Sequence, residues 1–129
     1  MKYLIYTLVL FVSVTTAMAN GIDDIKAAIK QGDSVALSAF FDENVEICIL
    51  ENEDLYTTEG GESVIKEFFA KHKPKTLNQF HKGNSKSNNA QYLTGTMIDT
   101  SGQEFRIYIY IKHVGDQSLI QALRFDSAD

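Results

Sequence analysis

Between Gly21 and Gln31 the apolar positions Ile22, Ile25, Ala28 and Ile29 recur every three or four residues, the single stripe of an amphipathic helix. Asn20 can cap its N-terminus, and Asp23 suits the positive first turn. Gly32 is free to adopt the left-handed conformation that ends a helix, and Asp33 to cap the next one. A second helix follows at once, with Val35, Ala36, Ala39 and Phe40 on its packed face, so the first two elements form a tight helical corner. Beyond Asp42 the period falls to two: Val45, Ile47 and Ile49 alternate with Glu46 and Cys48, as in a half-buried strand. The polar turn Glu51-Asn52-Glu53-Asp54 then returns the chain through Leu55-Tyr56-Thr57-Thr58 as a hairpin partner. Gly60-Gly61 breaks the hairpin, and Val64, Ile65, Phe68 and Phe69 mark a third helix running to about Lys73, where Pro74 stops it.

The remainder reads as β. Leu77 to Lys82, Gln91 to Asp99, Gln103 to His113 and Ser118 to Phe125 are four strands, with turns at Gly83-Asn84, around Ser101-Gly102 and at Gly115-Asp116. The polar stretch Asn84 to Asn89 is expected to be a mobile loop. Consecutive strands joined by such short turns pair antiparallel, because a parallel return needs a crossover of about a dozen residues or more. Three helices and a curved antiparallel sheet make an α+β domain with the helices on one face.

Before Gly21 the pattern is of another kind. Lys2 precedes an almost unbroken apolar run from Tyr3 to Val14, and Ala17-Met18-Ala19 follows the small-x-small rule of a leader cleavage site. Residues 1–19 are therefore expected to be a signal peptide removed between Ala19 and Asn20, leaving a domain over 20–129 in the periplasm or outside the cell. The apolar run falls short of the roughly 20 residues that span a bilayer, so no stable membrane anchor is expected.

Charge and cysteine content narrow the function classes. With 12 Lys+Arg against 17 Asp+Glu the chain carries a formal charge of −5, which argues against a nucleic-acid partner. A single cysteine forbids an intrachain disulfide, and Cys48, flanked by apolar residues, reads as a small buried hydrophobe rather than a reactive thiol. The spacing of His72, His81 and His113 matches no local metal motif, and no metal or other cofactor is assigned.

The element order, together with Gly61-Glu62-x-Val64-Ile65-x-x-Phe68-Phe69 on the third helix and the long closing meander, resembles the nuclear transport factor 2-like superfamily over about Ile22 to Asp126. More closely, it is similar to a small exported branch from Bacteroidetes-type bacteria whose members lack an assigned function. The resemblance implies a cone in which sheet and helices surround a pocket. Ketosteroid isomerase and scytalone dehydratase use that pocket for catalysis, and other members keep it as a binding or dimerisation module. Fold alone does not choose between these. No carboxylate, phenol and acid set of the isomerase kind can be matched here, since Asp42, Asp54 and Asp99 stand at turns or element ends where aspartate is commonplace.

The pocket or rim residues we single out are Phe40, Phe68, His72 and Gln121. His72 follows Phe68 by one turn and either closes the core or rims a pocket. Gln121 stands among apolar neighbours, so if buried it needs a partner, either within a pocket or a nearby backbone carbonyl. In Phe105 to Lys112 strict alternation puts Phe105, Ile107, Ile109 and Ile111 in the core and Arg106, Tyr108, Tyr110 and Lys112 on the opposite face. That second set is either a solvated outer face or a partner surface, since Tyr and Arg favour contact cores. Lys66, Lys71, Lys73, Lys75 and Lys82 concentrate positive charge, explained by the helix dipole at Lys71 and Lys73 or by an anionic partner. The sequence thus predicts a non-catalytic exported binding or interaction module with a small pocket, with a homodimer through the outer sheet face and a small apolar ligand as its partners. The competing expectation is an isomerase- or dehydratase-like enzyme with acid–base residues in the pocket.

Overall fold

The computed structural model describes residues 21–84 and 89–128. The expected leader, the Asn20 cap and most of the polar loop after Asn84 lie outside them. In chain order the elements are α1 (Gly21–Gln31), α2 (Ser34–Ser38), β1 (Phe41–Ile49), β2 (Asn52–Thr57), α3 (Thr58–Lys71), β3 (Pro74–Asn84), β4 (Ala90–Asp99), β5 (Glu104–Val114) and β6 (Gln117–Ser127). No helix among the described residues is long and apolar enough to cross a membrane.

The first corner forms as its sequence dictates. Ile22, Ile25, Ala28 and Ile29 are buried, and α1 ends at Gly32 with φ +64°. The Gly32 and Asp33 amides donate to the carbonyls of Ile29 and Ala28, the paired closure of a helix C-terminus. Asp33 then accepts from the Ala36 amide at 3.0 Å and caps α2. The packed face of α2 differs from expectation: Ser34, Leu37 and Ser38 are buried, while Val35 is 66% exposed. The helix has only five residues, so Phe40 lies beyond its end and does not continue one stripe with Val35 and Ala36.

The two glycines of α3 also depart from the expected break, because both lie inside the helix. Thr57 caps it by accepting from the Gly60 amide. Gly61 is buried against β1, where a Cβ would meet Ile47 and Val45 at 3.0 Å and Phe41 at 3.1 Å. Here glycine sets the approach of helix to strand.

One six-stranded sheet runs in the order β2-β1-β6-β5-β4-β3. The consecutive strands β1–β2, β3–β4, β4–β5 and β5–β6 pair antiparallel, while β2 and β3, separated by α3, form the two edges, and β1 lies parallel to β6, joining the N-terminal hairpin to the closing meander. Of the register shifts in the sheet, two change which side chains face inward. In β3, Gln79 (φ +56°) and Phe80 together oppose Gly95. This turns Phe80 over Gly95, with Lys26 Nζ of α1 lying 4.9 Å from its ring centre. In β6 the ladder slips at Gln121, so Ile120 before it and Leu123 and Phe125 after it all face inward. The period-two alternation of an unbroken strand fails at both bulges.

The helices cover one face of the sheet and its side chains fill the interior. Ile25, Ile29, Ile47, Ile65, Ile109, Ile111 and Phe125 are fully buried, and Phe68 stands over Phe125 and Phe105 at ring separations of 4.5 and 5.3 Å. This is the α+β architecture that the resemblance implies, with its interior occupied by the chain's own aromatic and branched residues.

Candidate functional site

The residues expected at a pocket do not converge. Phe40 packs at the edge of the core beside Gly21, Ser118 and Leu119, and Gln121 donates to Asp42 Oδ2 at 3.2 Å. His72 and Phe68 do come together, on the wall of an open groove of about 360 Å³ between the C-terminal half of α3 and the β1–β2 turn. Ile49, Leu50 and Val64 give the groove its apolar lining, and Asn52, Tyr56, Glu67 and Lys71 its polar one.

His72 is the residue at which α3 ends. Its amide donates to the Phe68 carbonyl at 2.8 Å, and Pro74 directs the chain into β3. The imidazole packs on Phe68 (5.1 Å between ring centres) and Phe105 (4.8 Å), and its Nδ1 lies 2.9 Å from Asp99 Oδ2. Asp99 closes β4, where the turn through Gly102 (φ +90°) folds donors back onto its carboxylate. Oδ1 accepts the Ser101 hydroxyl at 2.6 Å and the Ser101 and Gln103 amides at 2.9 Å each. The Ser101 hydroxyl above all, then His72 and the two amides, outweigh the desolvation that opposes them and hold this carboxyl down to about 2. Asp99 is thus an ionised, solvent-excluded anchor. Sequence reasoning passed over it as an ordinary turn aspartate, although Asp-Thr-Ser-Gly is the composition of a turn whose first side chain gathers the following amides.

The other expected residues fall apart from this groove. His113 is held at both nitrogens, by Ser118 Oγ at 3.0 Å and Gln91 Oε1 at 2.8 Å. His81 faces outward beside Thr94. Among the described residues no three His, Cys, Asp or Glu side chains stand together as a metal-ligand set. Lys71 pairs with Glu67 at 3.2 Å in the exposed i,i+4 geometry, worth a few tenths of a kcal/mol, about 0.3–0.5. Cys48 is buried, as expected of a small hydrophobe.

The opposite side of the sheet carries a second concentration of chemistry. Tyr108 and Tyr110 project from β5 on the face away from the helices. Tyr92, opposite Tyr110 on β4, lies 5.0 Å from its ring centre and 5.6 Å from that of Tyr108. Tyr108 is 41% and Tyr92 36% exposed, and on the same face Leu55 of β2 is 64% exposed. Burial and then the neighbouring Tyr92 phenol push the Tyr108 hydroxyl above its ordinary range. Arg106 and Lys112 flank the phenols on β5 and have no side-chain partner among the described residues, whereas Arg124 is bound by Asp126 at 2.7 and 2.9 Å. Across the sheet, Glu53 shares a hydrogen bond with Glu46 and repels it, raising the Glu46 carboxyl above the usual range.

A family model described as a domain of unknown function (DUF4783) matches residues 22–126. Two solved structures of that family are similar over nearly their full length. One from Bacteroides uniformis is 22% identical with a TM-score of 0.78, covering 85% of this chain and 99% of its own. One from Bacteroides ovatus is 26% identical with a TM-score of 0.75, covering 82% and 94%. A nuclear transport factor 2-like family protein from Streptomyces avermitilis is similar in fold, at 12% identity and a TM-score of 0.63 over 84% of this chain and 92% of its own. No curated protein matches the chain.

Proposed function

The chain belongs to the DUF4783 family, and from that premise we propose that it is an exported, non-catalytic interaction module whose working surface is the outer face of the sheet, pairing two copies. The observation that carries this reading is the contact cluster of Tyr92, Tyr108 and Tyr110 on a face no helix covers. Tyrosine brings large, rigid area at little entropic cost and is enriched at contact cores. Charge supports a second copy as the occupant. The face is acidic toward β1 and β2, where Glu46 and Glu53 repel one another, and basic along β5, where Arg106 and Lys112 have no side-chain partner among the described residues. A two-fold pairing centred on the tyrosines sets the acidic flank of each copy against the basic flank of the other, which is the self-complementarity an isologous interface needs. The apolar run and Ala17-Met18-Ala19 support export with cleavage before Asn20.

A second reading, acid–base chemistry on a small ligand, is favoured by the His72–Asp99 pair, an imidazole oriented by an ionised carboxylate at the wall of a groove. The first reading is tested by sedimentation of the chain recovered from outside the cytoplasm, with its N-terminus read at the same time. We expect a chain beginning at Asn20, dimeric in the wild type and monomeric when Tyr108 and Tyr110 are both changed to Ala. A monomeric wild type, or a dimer that survives both substitutions, refutes the proposed surface.

A further inference from the structure

We propose that the groove beside α3 is a binding site for a small, uncharged apolar molecule bearing a hydroxyl group, which donates its hydrogen bond to Nε2 of His72. The inference starts from Asp99. Its carboxylate only accepts, and Oδ1 is already taken by three donors while Oδ2 faces His72 at 2.9 Å. The proton between them therefore sits on His72 Nδ1, and when the ring carries that proton alone Nε2 is a bare acceptor. Among the described residues no donor engages Nε2, although the side chain is 21% exposed. His72 lines the groove whereas Asp99 does not, and the ring edge that carries Nε2 is the one not engaged by Asp99.

The rest of the wall selects what such an acceptor would meet. Ile49, Leu50, Val64 and Phe68 suit an apolar body, and about 360 Å³ accommodates a single substituted ring or a short chain. The two charged groups of the wall, Lys71 and Glu67, satisfy each other. This leaves no unpaired cation to recruit a carboxylate or phosphate, so a neutral donor is the matching group. The site stands on the helix side of the sheet and the tyrosines on the other, so either can fail without the other.

The experiment uses the chain labelled with 15N at histidine, near pH 8.5, where an ordinary imidazole is neutral. It is titrated with 4-ethylphenol and with 4-ethylanisole, the same shape with its hydroxyl capped. In the free protein we expect His72 to carry its proton on Nδ1 and a bare Nε2. The phenol is expected to shift the Nε2 resonance saturably and to bind about fivefold more tightly than the ether, the worth of one hydrogen bond. In His72→Phe the two probes are expected to bind alike. The proposal is overturned by a proton on Nε2 in the free protein, by equal binding of phenol and ether to the wild type, or by the absence of a saturable shift at His72. The tautomer and the probe comparison are read on the wild type, so they decide the matter even if His72→Phe does not fold.

Discussion

The two faces of β5 are built from one backbone and answer to different constraints. Phe105, Ile107, Ile109 and Ile111 are each no more than 1% exposed and locked among neighbours from both ends of the chain, whereas Arg106, Tyr108 and Lys112, one residue away in each case, are open to solvent. On the inner face volume decides, because a packed interior has no room for a different shape. On the outer face volume is free, so its residue types reflect what the surface meets rather than what the fold requires. The three ring-contacting tyrosines suit a solvated strand as well as the proposed contact surface, whereas four aliphatic and aromatic side chains are what any sheet interior needs.

The contrast is broken most directly by truncating each face in turn. Ile109→Ala leaves a cavity under the helices and is expected to cost about 2–5 kcal/mol in urea unfolding, while Tyr108→Ala, one residue earlier, costs less than about 1 kcal/mol. Equal losses would mean that the outer face is part of the fold's support. Gly61→Ala sharpens the same point where helix meets strand. The substitution gains about 1 kcal/mol of helix propensity but forces a methyl against Val45, Ile47 and Phe41, at an overpacking cost of about 1–3 kcal/mol. We expect a net loss of about 1 kcal/mol, seen as a lowered melting temperature, and an unchanged or raised one contradicts the tight approach.

A pH-dependent effect concerns the rim of the inner side. Asp99 has its folded-state value lowered to about 2 from 3.8, so its contribution is fully present above about pH 4 and is lost as pH falls toward 2. The carboxylate is shielded by its own turn yet lies at the molecular edge, so the full shift overstates its worth, and about 1–2 kcal/mol is expected from this group. Unfolding measured between pH 5 and pH 2 should therefore be steeper in the wild type than in Asp99→Asn. Parallel slopes would show that the carboxylate is not held as described.

What the amino-acid order disclosed and what it hid follow from where local rules apply. The β5 alternation was legible because its pairing with β4 runs without a slip, so each apolar position keeps its face. Residues 79 and 121 defeated the same rule, since a bulge reverses the inward set for everything beyond it and its position depends on the partner strand. The face of α2 was misread because five residues make less than two turns, too short for a stripe to average out. Glycines 60 and 61 looked like a break, and only the contact of Gly61 with β1 shows why the helix keeps a glycine there. At the groove, His72 was legible from its place after Phe68. Asp99 was not, because its partner lies 27 residues away and is brought near only by the β3–β4 pairing.

The parallel seam between β1 and β6 has a consequence for how the molecule comes together. Every other ladder links strands that are neighbours along the chain, so each can zip from its own turn. Setting Ile47 beside Leu123 instead encloses most of the domain in one loop. Closing a loop of roughly 75 residues costs about 4 kcal/mol in chain entropy, and little of that is recovered until the hairpin and the meander dock. Two locally assembled halves and a single long-range union are thus written into the strand order itself.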